Sequence, residues 1–195
     1  MHGESLNLMK EFVEEYGLQN ARVVDVGSYN VNGTYRDLFS EAAEYVGVDI
    51  IPGPNVDVIM DSPEWEALLP VDAVICGQTV EHCADIPKLM KSMFDVLKPG
   101  GLLCIIVPSA GPPHDYPIWV GNFSKEQMAE LVEAPGFEIV RHTVNDFGVF
   151  KDNCCVARKP EVRMTLKGKT IKGTKSFQMG EGVEGFERRL AEGSI

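Results

Sequence analysis

Three stretches of this chain hold residues whose types and spacing could do chemistry. The first is VVDVGSYNVNG, residues 23–33, where an apolar run ends on Asp25 and is followed by Gly27, a polar bend and Gly33. Two more acids follow apolar runs, Asp49 in YVGVDI and Asp61 after NVDVIM. The second stretch is Thr79-Val80-Glu81-His82, and the third is the proline-rich Pro108 to Trp119, which carries His114, Asp115, Tyr116 and Trp119. Histidine titrates near neutrality, so His114 is a candidate base for a hydroxyl proton, with Asp115 to orient it. Tyr116 and Trp119 could form an apolar wall or stack on a sugar face. The plainer alternatives remain open. Glu81 could cap a turn, His82 could only pack over a ligand, and the proline-rich loop could only pack on the fold.

The glycine turn is what lets a ligand approach backbone amides closely. A dinucleotide would call for G-x-G-x-x-G. Here the spacing is Gly27-x5-Gly33, and Tyr29 occupies the place of the second glycine. An acid ending the second strand can accept both hydroxyls of a ribose, and Asp61 could face an adenine amino group. Acids on three successive strand ends would repel a pyrophosphate and favour a cationic, ribose-bearing ligand. S-adenosylmethionine, with its ammonium and sulfonium, suits this arrangement better than NAD.

The elements that must position these residues alternate. The N-terminal segment has Leu6, Leu8, Met9, Phe12, Val13 and Tyr16 at helical spacing, with neither the basic leader nor the continuous apolar stretch of a signal peptide. Strands are expected at Arg22 to Val26, Tyr45 to Ile50, Asn55 to Met60, Val71 to Cys76 and Leu102 to Val107. Helices are expected at Gly33 to Ala43, Pro63 to Leu69, Ile86 to Leu97 and Ser124 to Val132, the last with Ser124 and Gln127 as a capping box. Lys98-Pro99-Gly100-Gly101 should stop the third of these. Ile139 to Val144 and Val149 to Ala157 read as a closing strand pair. This alternation predicts an α/β fold with a parallel sheet covered on both faces, whose ligands bind beyond the carboxyl ends of the strands.

The totals set bounds. A chain of 195 residues, 44% hydrophobic, suits one domain with a substantial core. Its net charge of −11 weighs against nucleic acid and anionic membranes as partners, and no segment approaches a membrane span. Five cysteines without a C-x-x-C pair argue against a zinc site or a disulfide framework, and reduced thiols point to the cytoplasm. Cys76 and Cys104 read as small core residues. Residues 1–157 are read as the folded domain, and 158–195 as a tail, first basic and then rich in Gly and Glu. That tail is expected to be loosely ordered or ordered by a partner, with an extra strand, a partner arm or an active-site cover as alternatives.

DVGSYNVNG, YVGVDI, QTVEHCAD and LKPGGLL, in this order and spacing, resemble class I S-adenosylmethionine-dependent methyltransferases over roughly residues 20 to 157. The pattern PSAGPPHDYP is similar to that of small bacterial methyltransferases linked to glycan biosynthesis. The resemblance implies a Rossmann-like, doubly wound, mostly parallel seven-stranded sheet. It also implies S-adenosylmethionine as cofactor. Asp25, Gly27, Ser28 and Tyr29 would form the first binding motif, Asp49 with Ile50 the ribose side, Asp61 and Ser62 the adenine side, and Gln78 a backbone contact after the fourth strand. SYNVNG departs from the commoner glycine-dense loop. The implied reaction is methylation of oxygen, or secondarily nitrogen, on a small polar acceptor such as a sugar or sugar-bearing metabolite. His114, Asp115 and His82 are its candidate catalytic residues, and Tyr116 and Trp119 its acceptor-binding residues. A metal site can be imagined from Glu81, His82, His114 and Asp115, but no tight ligand cluster is visible, and no metal is assigned. A homo-oligomer or another protein could complete the acceptor pocket. Two other readings stand: a nucleic-acid or protein methyltransferase, and a non-catalytic cofactor-binding partner subunit.

Overall fold

The computed structural model describes residues 3–60, 70–114, 118–161, 163–166 and 169–172. In chain order its elements are α1 (Gly3–Tyr16), β1 (Arg22–Val26), β2 (Glu44–Asp49), β3 (Val58–Ile59), β4 (Val71–Gly77), α2 (Ile86–Val96), β5 (Leu97–Pro108), α3 (Lys125–Glu133), β6 (Glu138–Val144), β7 (Asp152–Arg158), β8 (Arg163–Leu166) and β9 (Lys169–Lys172). Seven strands form one sheet in the order β3-β2-β1-β4-β5-β7-β6. The first five in that order run parallel, and β7 is antiparallel to both its neighbours. The α/β fold is the one expected from the alternation, and the mostly parallel, doubly wound seven-stranded sheet is the one the resemblance implies. Strand order reverses between β1 and β4, so the ligand crevice of such a sheet lies beyond the carboxyl ends of these two strands.

Alternation within the strands divides the core between the two faces. Val24, Val26, Val74, Leu103 and Ile105 pack with Leu89, Met90 and Met93 of α2 and Met128 and Val132 of α3. Val23, Ala73, Ile75, Cys104 and Ile106 pack with Met9 and Phe12 of α1 and with Tyr35 and Phe39. Ser124 caps α3 reciprocally: its hydroxyl accepts from Gln127 N at 3.2 Å, and the Gln127 side chain accepts from Ser124 N at 2.9 Å. Such a cap contributes about 1 kcal/mol.

Four expectations are corrected. The helix expected at Gly33 to Ala43 is a single 3-10 turn, Arg36–Phe39. The Thr34 hydroxyl accepts from Arg36 N, Leu38 N returns to Tyr35 O and Ala42 N to Phe39 O, so the segment closes through short i→i+3 bonds. The third strand is only Val58–Ile59, because Asn55 adopts a left-handed turn at φ 72° and pairs with Ser28 instead. Lys98 to Gly101 does end α2, but it belongs to β5, where backbone pairing of Gly100 and Gly101 with Lys159 carries the strand through a register shift. The last strand starts at Asp152 rather than Val149, which is 67% exposed. The helix expected at Pro63 to Leu69 lies outside the described residues.

The chain divides into two compact units, 1–160 and 161–195. Within the second, β8 and β9 pair as an antiparallel hairpin. Among the described residues no helix is long and apolar enough to cross a membrane.

Two glycines set how closely the loops beyond β1 and β4 approach. A Cβ on Gly77 would lie 2.2 Å from the Tyr35 hydroxyl, and one on Gly27 (φ 75°) would lie 2.2 Å from the Thr79 side chain. Tyr35 is buried, and its hydroxyl pairs with Ser5 of α1 at 2.5 Å. Beside them Asp25 is buried at the end of β1. Burial pushes its carboxyl up to about 7, reinforced by Asp49 and opposed by the Tyr45 hydroxyl that donates to it, by Arg36 and by Asn55. Because the folded chain holds this proton more tightly than the unfolded one, Asp25 contributes stability that is full below pH 4 and lost as pH rises through about 7. Unfolding in urea should therefore show a native-minus-Asp25→Asn difference that changes by up to about 4 kcal/mol between pH 4 and pH 8, in the direction of a relatively less stable native chain at high pH; a difference independent of pH would contradict the assignment. Gly77→Ala should cost about 1–3 kcal/mol in the same measurement, because Tyr35 cannot move without leaving Ser5; a cost near zero would show that the contact gives way freely.

Candidate active site

The cofactor side is built from the turn after β1 and the end of β2. Gly27 N and Ser28 N both donate to Val48 O, so the turn folds against β2. Asp49 Oδ2 then accepts from Tyr29 N at 2.9 Å, while Oδ1 accepts from Ile50 N at 2.7 Å and Ile51 N at 3.3 Å. A carboxylate has about four acceptor positions, so one remains for a ligand hydroxyl. Ser28 is buried and donates to Asn55 O at 3.1 Å, and Asn55 returns a bond to Ser28 O. Arg36 reaches the Asn55 amide oxygen at 2.5 Å, pairs with Asp57 and stacks on the Tyr45 ring, which ties the loop before β3 to the turn after β1.

This departs from the expected cradle in one respect. The space left by the missing Gly27 side chain is filled by Thr79, so at that position the glycine admits a neighbouring loop. The Asp25 carboxylate is likewise turned into the protein, onto Tyr45. Gln78 adopts φ 58°, its amide donates to Ile106 O at 2.8 Å, and its side chain donates to Asp152 of β7 at 2.9 Å. Its side chain and its backbone N–H are thus both committed within the protein. Ile50 and Ile51 stand 59% and 48% exposed directly after Asp49. Asp61 and Ser62 lie outside the described residues. The donor set fits S-adenosylmethionine in charge and position: an acid with an acceptor position left, at the end of β2, beside exposed apolar side chains that can pack on an adenine face.

The acceptor side brings together the two other stretches singled out by composition. Glu81 and His82 sit in a short 3-10 turn, Val80–His82, after β4, and Glu81 is fully buried. The segment after β5 clamps it: Val120 N donates to Glu81 O at 2.8 Å, and His82 Nδ1 donates to Ile118 O at 2.6 Å. His114 lies against His82 edge to face, with ring centroids 5.1 Å apart, and its Nδ1 donates to Pro112 O at 3.2 Å. Each of Glu81, His82 and His114 offers a donor atom within 4.8 Å of the others. Trp119 sits between the two clamping residues with its indole N–H buried and without a partner among the described residues. Asp115 and Tyr116 lie outside the described residues.

Sequence reasoning missed Phe150, whose ring packs on the other edge of His114 at 5.8 Å, and Asn122, which donates to Gly111 O at 3.1 Å. Phe150 carries no local signal, since it lies in a different segment from the loop it holds, and Asn122 sits at the far end of the same loop, eleven residues from Gly111. Asn55 had a local signal: an asparagine after Pro54, in a place where a turn interrupts the strand pattern.

Residues 3–142 match the methyltransferase-domain family. A probable S-adenosylmethionine-dependent methyltransferase of Mycolicibacterium smegmatis is 28% identical over 103 residues, which are 50% of this chain and 38% of that relative, so the match spans well under half of the relative's length. Among solved structures, the 1,6-didemethyltoxoflavin-N1-methyltransferase of Burkholderia thailandensis, bound to its acceptor and S-adenosylhomocysteine, superposes with a TM-score of 0.67 at 17% identity, covering 80% of this chain and 79% of that one. The [4+2]-cyclase SpnF superposes at 0.63 with 16% identity, covering 80% and 82%. At such identities the likeness is one of fold. The strand order, the acid at the end of β2 and the family match together place the chain in the class I S-adenosylmethionine-dependent methyltransferases, with S-adenosylmethionine as its cofactor.

Proposed function

We propose that the chain transfers a methyl group from S-adenosylmethionine to an oxygen of a small polar acceptor, a sugar or sugar-bearing metabolite being the first class to test. The observation that carries this reading is the convergence of Glu81, His82 and His114 beyond the ends of β4 and β5. When bound, S-adenosylmethionine supplies an electrophilic methyl on a sulfonium and leaves as a neutral thioether. The protein's part is alignment and the acceptor's proton. A neutral amine already carries the lone pair that attacks, whereas a hydroxyl must lose its proton as the bond forms. A histidine pair beside a buried carboxylate is chemistry that the hydroxyl needs and the amine does not.

The geometry supports a role for each group. The carbonyls of Ile118 and Pro112 hold the Nδ1 protons of His82 and His114, so the Nε2 atoms carry the lone pairs. His114, packed between His82 and Phe150, is the candidate base. The indole N–H of Trp119, buried and without a partner among the described residues, offers a donor to a polar group of the acceptor. Ile50 and Ile51 cover an adenine face, and Asp49 accepts from a ribose hydroxyl.

The test is methyl transfer from label-bearing S-adenosylmethionine to a panel of hydroxyl and amine acceptors, with the product bond identified by NMR. Transfer to oxygen is expected, with kcat falling at least about a hundredfold in His114→Ala while the melting temperature stays unchanged. Transfer to amines alone would contradict the oxygen reading. Cofactor binding with no transfer to any acceptor would favour another chemistry on this fold.

A further inference from the structure

We propose that Glu81, His82 and His114 form a binding site for one first-row transition dication of the zinc class, which holds the acceptor oxygen next to the cofactor. The sequence alone assigned no metal, because His114 lies more than thirty residues beyond the Glu81-His82 pair, in another loop, and no ligand spacing joins them. The fold supplies the spacing. Their donor atoms lie within 4.8 Å of one another, with Glu81 Oε1 3.9 Å from His82 Nε2. An ion with bonds of about 2.0–2.2 Å needs donors roughly 3–3.5 Å apart, so closure takes side-chain movements of only about 1 Å.

Three features favour a metal over a pair of stacked histidines. Both imidazoles donate Nδ1–H to a backbone carbonyl, Ile118 O for His82 and Pro112 O for His114. That is the outer-shell arrangement that fixes the tautomer and turns the Nε2 lone pair toward an ion. The third donor is a carboxylate buried completely in the 3-10 turn after β4, which holds its Oε1 3.9 Å from His82 Nε2. Two nitrogens and one oxygen also make a donor set suited to zinc, cobalt or iron rather than to magnesium or calcium, which take oxygen. Three protein ligands leave positions open that an acceptor oxygen could fill. An acceptor hydroxyl bound there would release its proton to solvent water more readily. The resulting oxygen anion would attack the cofactor's methyl as the thioether leaves, with His82 and His114 serving as ligands rather than as bases. This role of the ion rests on the methyltransferase reading; its binding does not.

The full chain, stripped with a chelator, should be titrated with Co2+ and followed by its visible d–d bands, then by displacement with Zn2+; Mg2+ serves as the oxygen-seeking control. One Co2+ per chain is expected, displaced by Zn2+ and not by Mg2+, with at least about tenfold weaker binding in His114→Ala. His114 is chosen because it is only partly buried, and the melting curve of the variant checks its fold. Unchanged Co2+ binding in His114→Ala, no saturable binding in the native chain, or thiolate charge-transfer bands from the neighbouring Cys83 would each overturn the proposal. S-adenosylhomocysteine is titrated into the same samples. If it binds and Co2+ does not, the metal site falls and the methyltransferase reading stands. If Co2+ binds through His114 and S-adenosylhomocysteine does not, the site stands and its role in activating the acceptor falls.

Discussion

The turns beyond β1 and β4 meet at atoms that leave no room for a side chain on Gly27 or Gly77. Thr79 fills the first gap and Tyr35 the second. That contact sets the geometry of both sides of the site. On one side it pins the turn whose amides reach Val48 and Asp49; on the other it fixes the start of the loop that carries Glu81 and His82. A larger residue at either glycine would spread the two loops and separate the cofactor side from the acceptor side. Tyr35 extends the constraint to α1 through Ser5, so the helix that covers one face of the sheet also braces the crevice at its end.

The acids act first on the protein itself. Asp49 gathers the amides of Tyr29, Ile50 and Ile51, and its charge is spread over three donors before any ligand arrives. Asp25 is buried against Tyr45, where desolvation holds its proton until about neutral pH. Preorganisation of this kind lowers the cost of binding, because the loop is ordered in advance. It also accounts for the departure of SYNVNG from a glycine-dense loop: Ser28 and Asn55 supply by side-chain bonds the closeness that further glycines would supply by backbone freedom.

Much of the fold was legible because its signals are local. The buried strands read as apolar runs, and the Ser124 cap was visible from a serine and a glutamine three residues apart. The acid at Asp49 could be placed at a strand end because the strand itself could be read. The segment from Gly33 to Ala43 misled because Tyr35 and Phe39, four residues apart and both buried, give the period of a helix; a single 3-10 turn puts both into the same cluster. The contents of the site were less legible. Which atom faces Gly27 depends on the neighbouring strand, and no reading of residues 23–33 names Thr79. The meeting of His82 with His114 depends on β4 and β5 lying side by side in register, with Cys76 opposite Ile105 and Gly77 opposite Ile106. Composition flagged both loops, but only the sheet brings them together.

Calorimetric titration of S-adenosylmethionine into the native chain and into Asp49→Ala tests the central claim most directly. The account predicts micromolar binding to the native chain and at least tenfold weaker binding to a variant that still melts cooperatively, since ribose hydroxyls lose their acceptor and the turn loses its anchor. An absence of binding to the native chain, or equal affinity in the two, would mean that the crevice beyond β1 and β2 does not hold this cofactor.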